Sequence, residues 1–190
     1  MVRVSNRCAL LIVDVFSDFR FEGGRSLAEA LLGVAPTLAQ AAMQCRHAGI
    51  DVIYCNDNFN RWTESWRDIL SYTAKGGLAP ATTIARLLHP AEQDVVLLKS
   101  RHSAFLHTQL MALITHLAVR RVGVAGVSAD ACVSCTAIDA YVRGLEVTVL
   151  EDCVAAITDE RKRRALTQLN ESMGIHVCSG AAWLQRCAES

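Results

Sequence analysis

Short apolar runs alternate with longer amphipathic stretches along the whole chain. The runs are CALLIV (8–13), DVIYC (51–55), DVVLL (94–98), RVGVAG (121–126), LEVTVL (145–150) and IHVC (175–178). Most are rich in Val, Ile and Leu and lack polar alternation, the pattern of strands buried on both faces. Between them the spacing of apolar positions predicts helices over roughly 26–48, 63–73, 79–89, 106–118, 131–143, 159–173 and 180–187. Gly49, Gly144 and Gly174 stand just ahead of strands, where glycine commonly closes a helix. A strand–helix alternation of this kind predicts an α/β fold, a parallel sheet with helices on both faces.

Composition narrows the picture. The chain has 190 residues, a length that suits one domain, so residues 1–190 are read as a single unit. Hydrophobic residues make up 52% and charged residues 20%, enough apolar surface for a core and too much for disorder. Lys plus Arg and Asp plus Glu number 19 each, so the basic excess of a nucleic-acid binder is absent. The apolar runs are strand-length and carry charges, so no membrane span is expected. MVRVSNR lacks the apolar stretch of a leader, and the expectation is a cytoplasmic protein. The eight cysteines then read as reduced thiols rather than a disulfide framework. One C-x-x-C pair, Cys132 and Cys135, has no second pair to complete a zinc site.

In parallel α/β sheets, ligands sit beyond the carboxyl ends of the strands. The residues expected at those ends are Asp14, then Asn56-Asp57-Asn58, Lys99, the segment Gly126–Cys132, and Glu151-Asp152. Cys132 follows a strand and opens a helix for which Asp130 is a suitable N-cap. A thiol in a first helical turn meets unpaired N–H groups and the positive end of the helix dipole, which favour the nucleophilic thiolate. Lys99 closes the apolar strand VVLLK, where burial penalises its charge unless a carboxylate or thiolate lies close. Asp14 interrupts LLIVDVF and also calls for a partner; it suits a base or proton shuttle for the thiol. Taken singly, each has a plain structural reading: packing for Cys132, as for Cys135, solvent exposure at a strand end for Lys99, and a cap for Asp14.

The segments ALLIVDVFSDF, DVVLLKSRHSAF and AGVSADACVSCTAIDAYVRGLEVTVLEDCVAA, in that order, resemble the isochorismatase-like cysteine hydrolase superfamily, which includes nicotinamidases and N-carbamoylsarcosine amidohydrolase. The resemblance implies a three-layer α/β/α domain with a six-stranded parallel sheet of Rossmann-like order 3-2-1-4-5-6. It implies a catalytic triad of Asp14, Lys99 and Cys132. It further implies a non-proline cis peptide at Val127–Ser128, with the backbone N–H groups of Ser128 and Cys132 as an oxyanion hole. Homo-oligomers, dimers or tetramers, are implied as well.

Nicotinamidases carry an Asp-x-His metal signature after the second strand. Here Asp57 is followed by Asn58 and Phe59, and no histidine lies between 48 and 88, so no metal and no cofactor are expected. Asp57 reads as a turn residue or a substrate contact. Phe19 and Trp62 are candidate pocket walls, with Trp66 divided between pocket and core. His102 is read as structural, with Ser103 as a helix cap. The glycine pairs at 23–24 and 76–77 fit no nucleotide-binding loop. The expected reaction is cleavage of a small amide, ureido or carbamoyl compound through a thioester on Cys132. Vinyl-ether hydrolysis of the isochorismatase type and a non-catalytic binding module remain alternatives.

Overall fold

The computed structural model describes residues 7–189. Apart from Arg7, the N-terminal stretch read for a leader lies outside the described residues. The strands are β1 (Arg7–Val13), β2 (Asp51–Asp57), β3 (Val95–Lys99), β4 (Val119–Val127), β5 (Glu146–Ala155) and β6 (His176–Cys178). They form one parallel sheet in the order β3-β2-β1-β4-β5-β6. The helices are α1 (Gly24–His47), α2 (Trp66–Gly76), α3 (Ala79–Leu87), α4 (Leu110–His116), α5 (Ser134–Val142), α6 (Asp159–Thr167) and α7 (Gly180–Ala188). Single π-helical turns precede α5, at Ala129–Val133, and follow α6, at Gln168–Ser172.

The period of two along β1 divides the core. Leu10 and Ile12 face a cluster built with Leu31 and Leu38 of α1, Ile84 of α3 and Trp183 of α7. Ala9, Leu11 and Val13 face the opposite cluster, with Leu110 and Ile114 of α4, Ala137 of α5 and Ala165 of α6. A strand packed on both faces has no room for polar alternation, and hence reads as a continuous apolar run. Side chains cap several helices: Ser65 and Asp68 form a reciprocal capping box on α2, Thr158 caps α6 and Ser179 caps α7.

Helix α1 is long and apolar enough to span a bilayer by length and composition. Its Leu27, Leu31, Leu38 and Cys45 are buried against the sheet, which accounts for its apolar stripe. Pro36 lies on its exposed face.

Several boundaries change, two of them at residues expected to serve the rim or a cap. The fifth strand does not stop at Glu151-Asp152: it bulges there, shifting register with β4 between Val124 and Gly126, and continues to Ala155. Glu151 is exposed, and Asp152 Oδ1 accepts a bond from Gly180 N (2.8 Å) at the start of α7, so this acidic pair serves the bulge and a cap. The helix expected over 106–118 shortens to Leu110–His116. Ser103 does not cap it. Its Oγ donates to Asp139 Oδ2 (2.5 Å) and accepts from Phe105 N (3.1 Å), closing a turn instead.

Candidate active site

Three strand ends converge at the carboxyl edge of the sheet. Asp14, one residue past β1, has a backbone φ of 53°, in the left-handed region that Asp tolerates better than most residues. Its N–H donates to Cys55 O (3.1 Å), and its Oδ1 accepts from Asp57 N (2.7 Å). The second oxygen, Oδ2, stands 2.6 Å from Lys99 Nζ. Lys99 is 2% exposed, so it does not reach solvent. Its ammonium also donates to Arg101 O (2.9 Å) and approaches Cys132 Sγ (3.7 Å). One buried ammonium thus bridges a carboxylate, a carbonyl and a thiol.

Cys132 lies in the π-helical turn rather than in a capped α-helix. Asp130 is not an N-cap: its carboxylate accepts from Ser128 Oγ (2.5 Å) and pairs with Arg161 Nε (2.5 Å). The Val127–Ser128 peptide is cis. Just before it, Gly126 has φ 109°, and a Cβ there would fall 2.1 Å from Val13 O. No other residue fits where β4 presses on the end of β1.

Burial pushes the Cys132 thiol well above its ordinary value, and the neighbouring Asp14 charge adds to this; Lys99 opposes both without prevailing. The expected lowering by a helix start does not hold, because the site is a desolvated π turn beside a carboxylate. Burial likewise raises the Asp14 carboxyl, against the pull of Lys99 and a hydrogen bond with Cys132. Burial works against the charge of Lys99, but Asp14 and Cys132 outweigh it, and the ammonium is held more firmly than usual. Asp14 and Lys99 thus stand 2.6 Å apart beside a thiol whose proton burial holds. A carboxylate raised in this way is the stronger base.

The group opens on a cleft of about 290 Å³, lined mainly by apolar surface from Phe19, Phe21, Leu27, Phe59 and Ile157. Asp57 and Ser128 also face it. Asp57 Oδ1 accepts from Phe59 N (2.6 Å), so this residue closes a turn and lines the cleft at once. Buried Asn56 joins the loop after β1 to β2 through paired bonds with Phe16 N and O, both 2.9 Å. Trp62 does not join the pocket: it is 71% exposed and outside the lining, on a loop that follows two left-handed residues, Phe59 and Asn60. Trp66 packs on the core beside His89.

His102, read from the sequence as structural although it invited a catalytic reading, stands at the thiol. Its Nδ1 lies 3.3 Å from Cys132 Sγ, and it lines the cleft. A histidine three residues past a strand-end lysine was the available signal.

Among the described residues no group of three or more His, Cys, Asp or Glu is arranged for a metal. After β2, Phe59 offers no donor atom and Asp57 Oδ1 is engaged by the backbone. The residues present do not fit a metal there.

A doubly wound α/β domain with Asp, Lys and Cys gathered at its carboxyl rim is thus the class that fold and site define. Residues 8–182 match the Isochorismatase domain, and the chain belongs to that family of hydrolases. It is 33% identical to the uncharacterized isochorismatase family protein YaaI of Bacillus subtilis over 161 residues, covering 85% of this chain and 87% of that one. It is 25% identical to maleamate amidohydrolase of Pseudomonas putida, covering 77% and 71% of the two chains. Among solved structures, an isochorismatase family protein from Desulfovibrio vulgaris superimposes with a TM-score of 0.78 at 26% identity, covering 97% of this chain and all of that one. The strand order 3-2-1-4-5-6 is thereby shared with a family structure.

Proposed function

We propose that the protein cleaves a small amide, ureido or carbamoyl compound through a thioester on Cys132. The observation that carries this reading is the Lys99 ammonium, buried between Asp14 (2.6 Å) and the Cys132 thiol (3.7 Å), both of which line the cleft. The similarity to an amidohydrolase supports it.

Asp14 accepts the thiol proton as sulfur bonds to the carbonyl carbon. Lys99 holds the negative charge of the thiolate as it forms. The backbone N–H groups of Ser128 and Cys132 are assigned to the developing oxyanion. The C–N bond then breaks, and the leaving nitrogen takes the proton from Asp14. Water, deprotonated by Asp14, attacks the thioester, and the proton returns to sulfur. The resting thiol is neutral, so proton transfer accompanies attack rather than preceding it.

The test is a panel of small amides, ureido acids and carbamoyl compounds assayed for ammonia or amine release. A covalent adduct on Cys132 is sought by mass spectrometry of quenched reactions. Release with the wild type and none with Cys132→Ala is expected. Pyruvate release from a vinyl ether, retained in Cys132→Ala, would replace this reading with acid-catalysed ether hydrolysis.

A further inference from the structure

The triad leaves one reactive neighbour of the thiol unused. His102 Nδ1 stands 3.3 Å from Cys132 Sγ, closer than the 3.7 Å from Lys99 Nζ. Its side chain is exposed and lines the cleft. An exposed imidazole has no need of a thiol to satisfy it, since water serves as well. Its approach to sulfur is set by the backbone on either side. Ahead of it, Arg101 O is held by Lys99 Nζ (2.9 Å). Behind it, Ser103 Oγ is fixed to Asp139 (2.5 Å), Ala104 N donates to Thr136 Oγ1 (3.1 Å) and Phe105 is buried. A residue pinned between two anchored neighbours is aimed, not adrift.

We infer that His102 is a second catalytic base at Cys132, taking the thiol proton in place of Asp14 while the thioester forms and leaving Asp14 to deprotonate the water that hydrolyses it. The inference rests on Cys132 being the nucleophile. Nδ1 accepts the thiol proton as sulfur bonds to the carbonyl carbon. When the C–N bond breaks, the leaving nitrogen takes that proton from the imidazolium, which returns to neutral imidazole. Nothing is oxidised or reduced. Asp14 can then stay ionised against Lys99, and the proton moves on a group in contact with solvent. Histidine suits this task because a neutral imidazole nitrogen can accept a proton and give it back. The charged or titratable groups that line the same cleft are Asp14, Asp57, Asp130, Cys132 and Arg161, with Lys99 against Cys132 and Arg101 next in sequence.

The experiment is the alkylation rate of Cys132 by iodoacetamide between pH 5 and 10, read by peptide mass spectrometry. It needs no substrate. In the wild type we expect an inflection in this profile. His102→Gln, close in size but without a titrating nitrogen, should lose that inflection and react about 10²-fold more slowly at pH 7.5. His102→Asn repeats the reading should the first variant fail to fold, with the thermal transition as the check. A profile unchanged in the His102 variant overturns the inference, as does an inflection abolished by Asp14→Asn and untouched by His102→Gln. Since iodoacetamide is not a substrate, a failed amide panel would sink the proposed function and leave this result readable.

Discussion

Strand β3 carries a buried ion pair at each end, and the two are built for different purposes. Ahead of its start, Asp94 meets Arg46 of α1 in a two-pronged contact, Nε to Oδ1 at 3.0 Å and Nη2 to Oδ2 at 2.6 Å. Asp94 also accepts from Ala91 N (2.7 Å), and Arg46 reaches the Tyr54 hydroxyl (3.4 Å). The side chain of Asp94 is 1% exposed, and its bonds all run to groups that hold the fold. At the far end, Lys99 and Asp14 are equally close at 2.6 Å, yet part of their bonding capacity is turned toward a thiol and a cleft. Burial of an ion pair therefore does not distinguish architecture from chemistry. What distinguishes them is where the remaining donors and acceptors point.

Truncating one partner at each end of β3 should separate the two pairs most widely. Cys132→Ala or Lys99→Met should lower ammonia release at least about 10³-fold, since the nucleophile or its charge support is removed. Lys99→Met also strands a buried carboxylate and should cost about 3–5 kcal/mol in denaturant titration. Asp94→Ala should cost a similar 3–5 kcal/mol by stranding Arg46, while the alkylation rate of Cys132 stays as in the wild type. A marked loss of thiol reactivity in Asp94→Ala would erase the distinction.

Replacing both partners, Asp14→Asn with Lys99→Met, should abolish activity yet leave stability equal to or above that of the wild type. The pH dependence follows from Asp14. Its native carboxyl binds a proton more tightly than that of the unfolded chain. The stability this gives is fully present below about pH 3.9 and is lost as pH rises through the native value. Lys99, held above its ordinary value, loses its contribution only in alkali. Unfolding free energy between pH 4 and 7 should therefore rise more steeply, or fall less, in the double variant than in the wild type. Equal slopes would mean that Asp14 titrates as an ordinary carboxylate.

The smallest effect is expected at Trp62. Exposed and outside the cleft, Trp62→Ala should change stability by no more than about 0.5 kcal/mol and leave the reaction rate as it was.

Sequence carried the sheet well because each central strand is buried on both faces and must be apolar throughout. It carried Asp14 and Lys99 because a charge ending an apolar run demands a partner. Reasoning failed where local pattern and three-dimensional path part company. Trp62 sits on a loop with no period, so nothing in its neighbourhood says which way it turns. Glu151-Asp152 looked like a strand end because a bulge places polar residues inside a strand that carries on. Asp130 has the composition of a cap, but its acceptors are taken by Ser128 and Arg161. His102 is a single histidine in a short connection, and its position depends on hydrogen bonds to residues more than thirty positions away.

The carboxylate of Asp14 has a second employment. Its Oδ1 receives Asp57 N while its own N–H is given to Cys55 O, so the acid that faces the thiol also latches β1 to β2. Such a group cannot be repositioned without loosening the middle of the sheet. Changes in substrate preference would have to enter through side chains with no such duty, the aromatic rings of Phe21 and Phe59. Reactivity and framework are inherited together in this design, and selectivity is the part left free to vary.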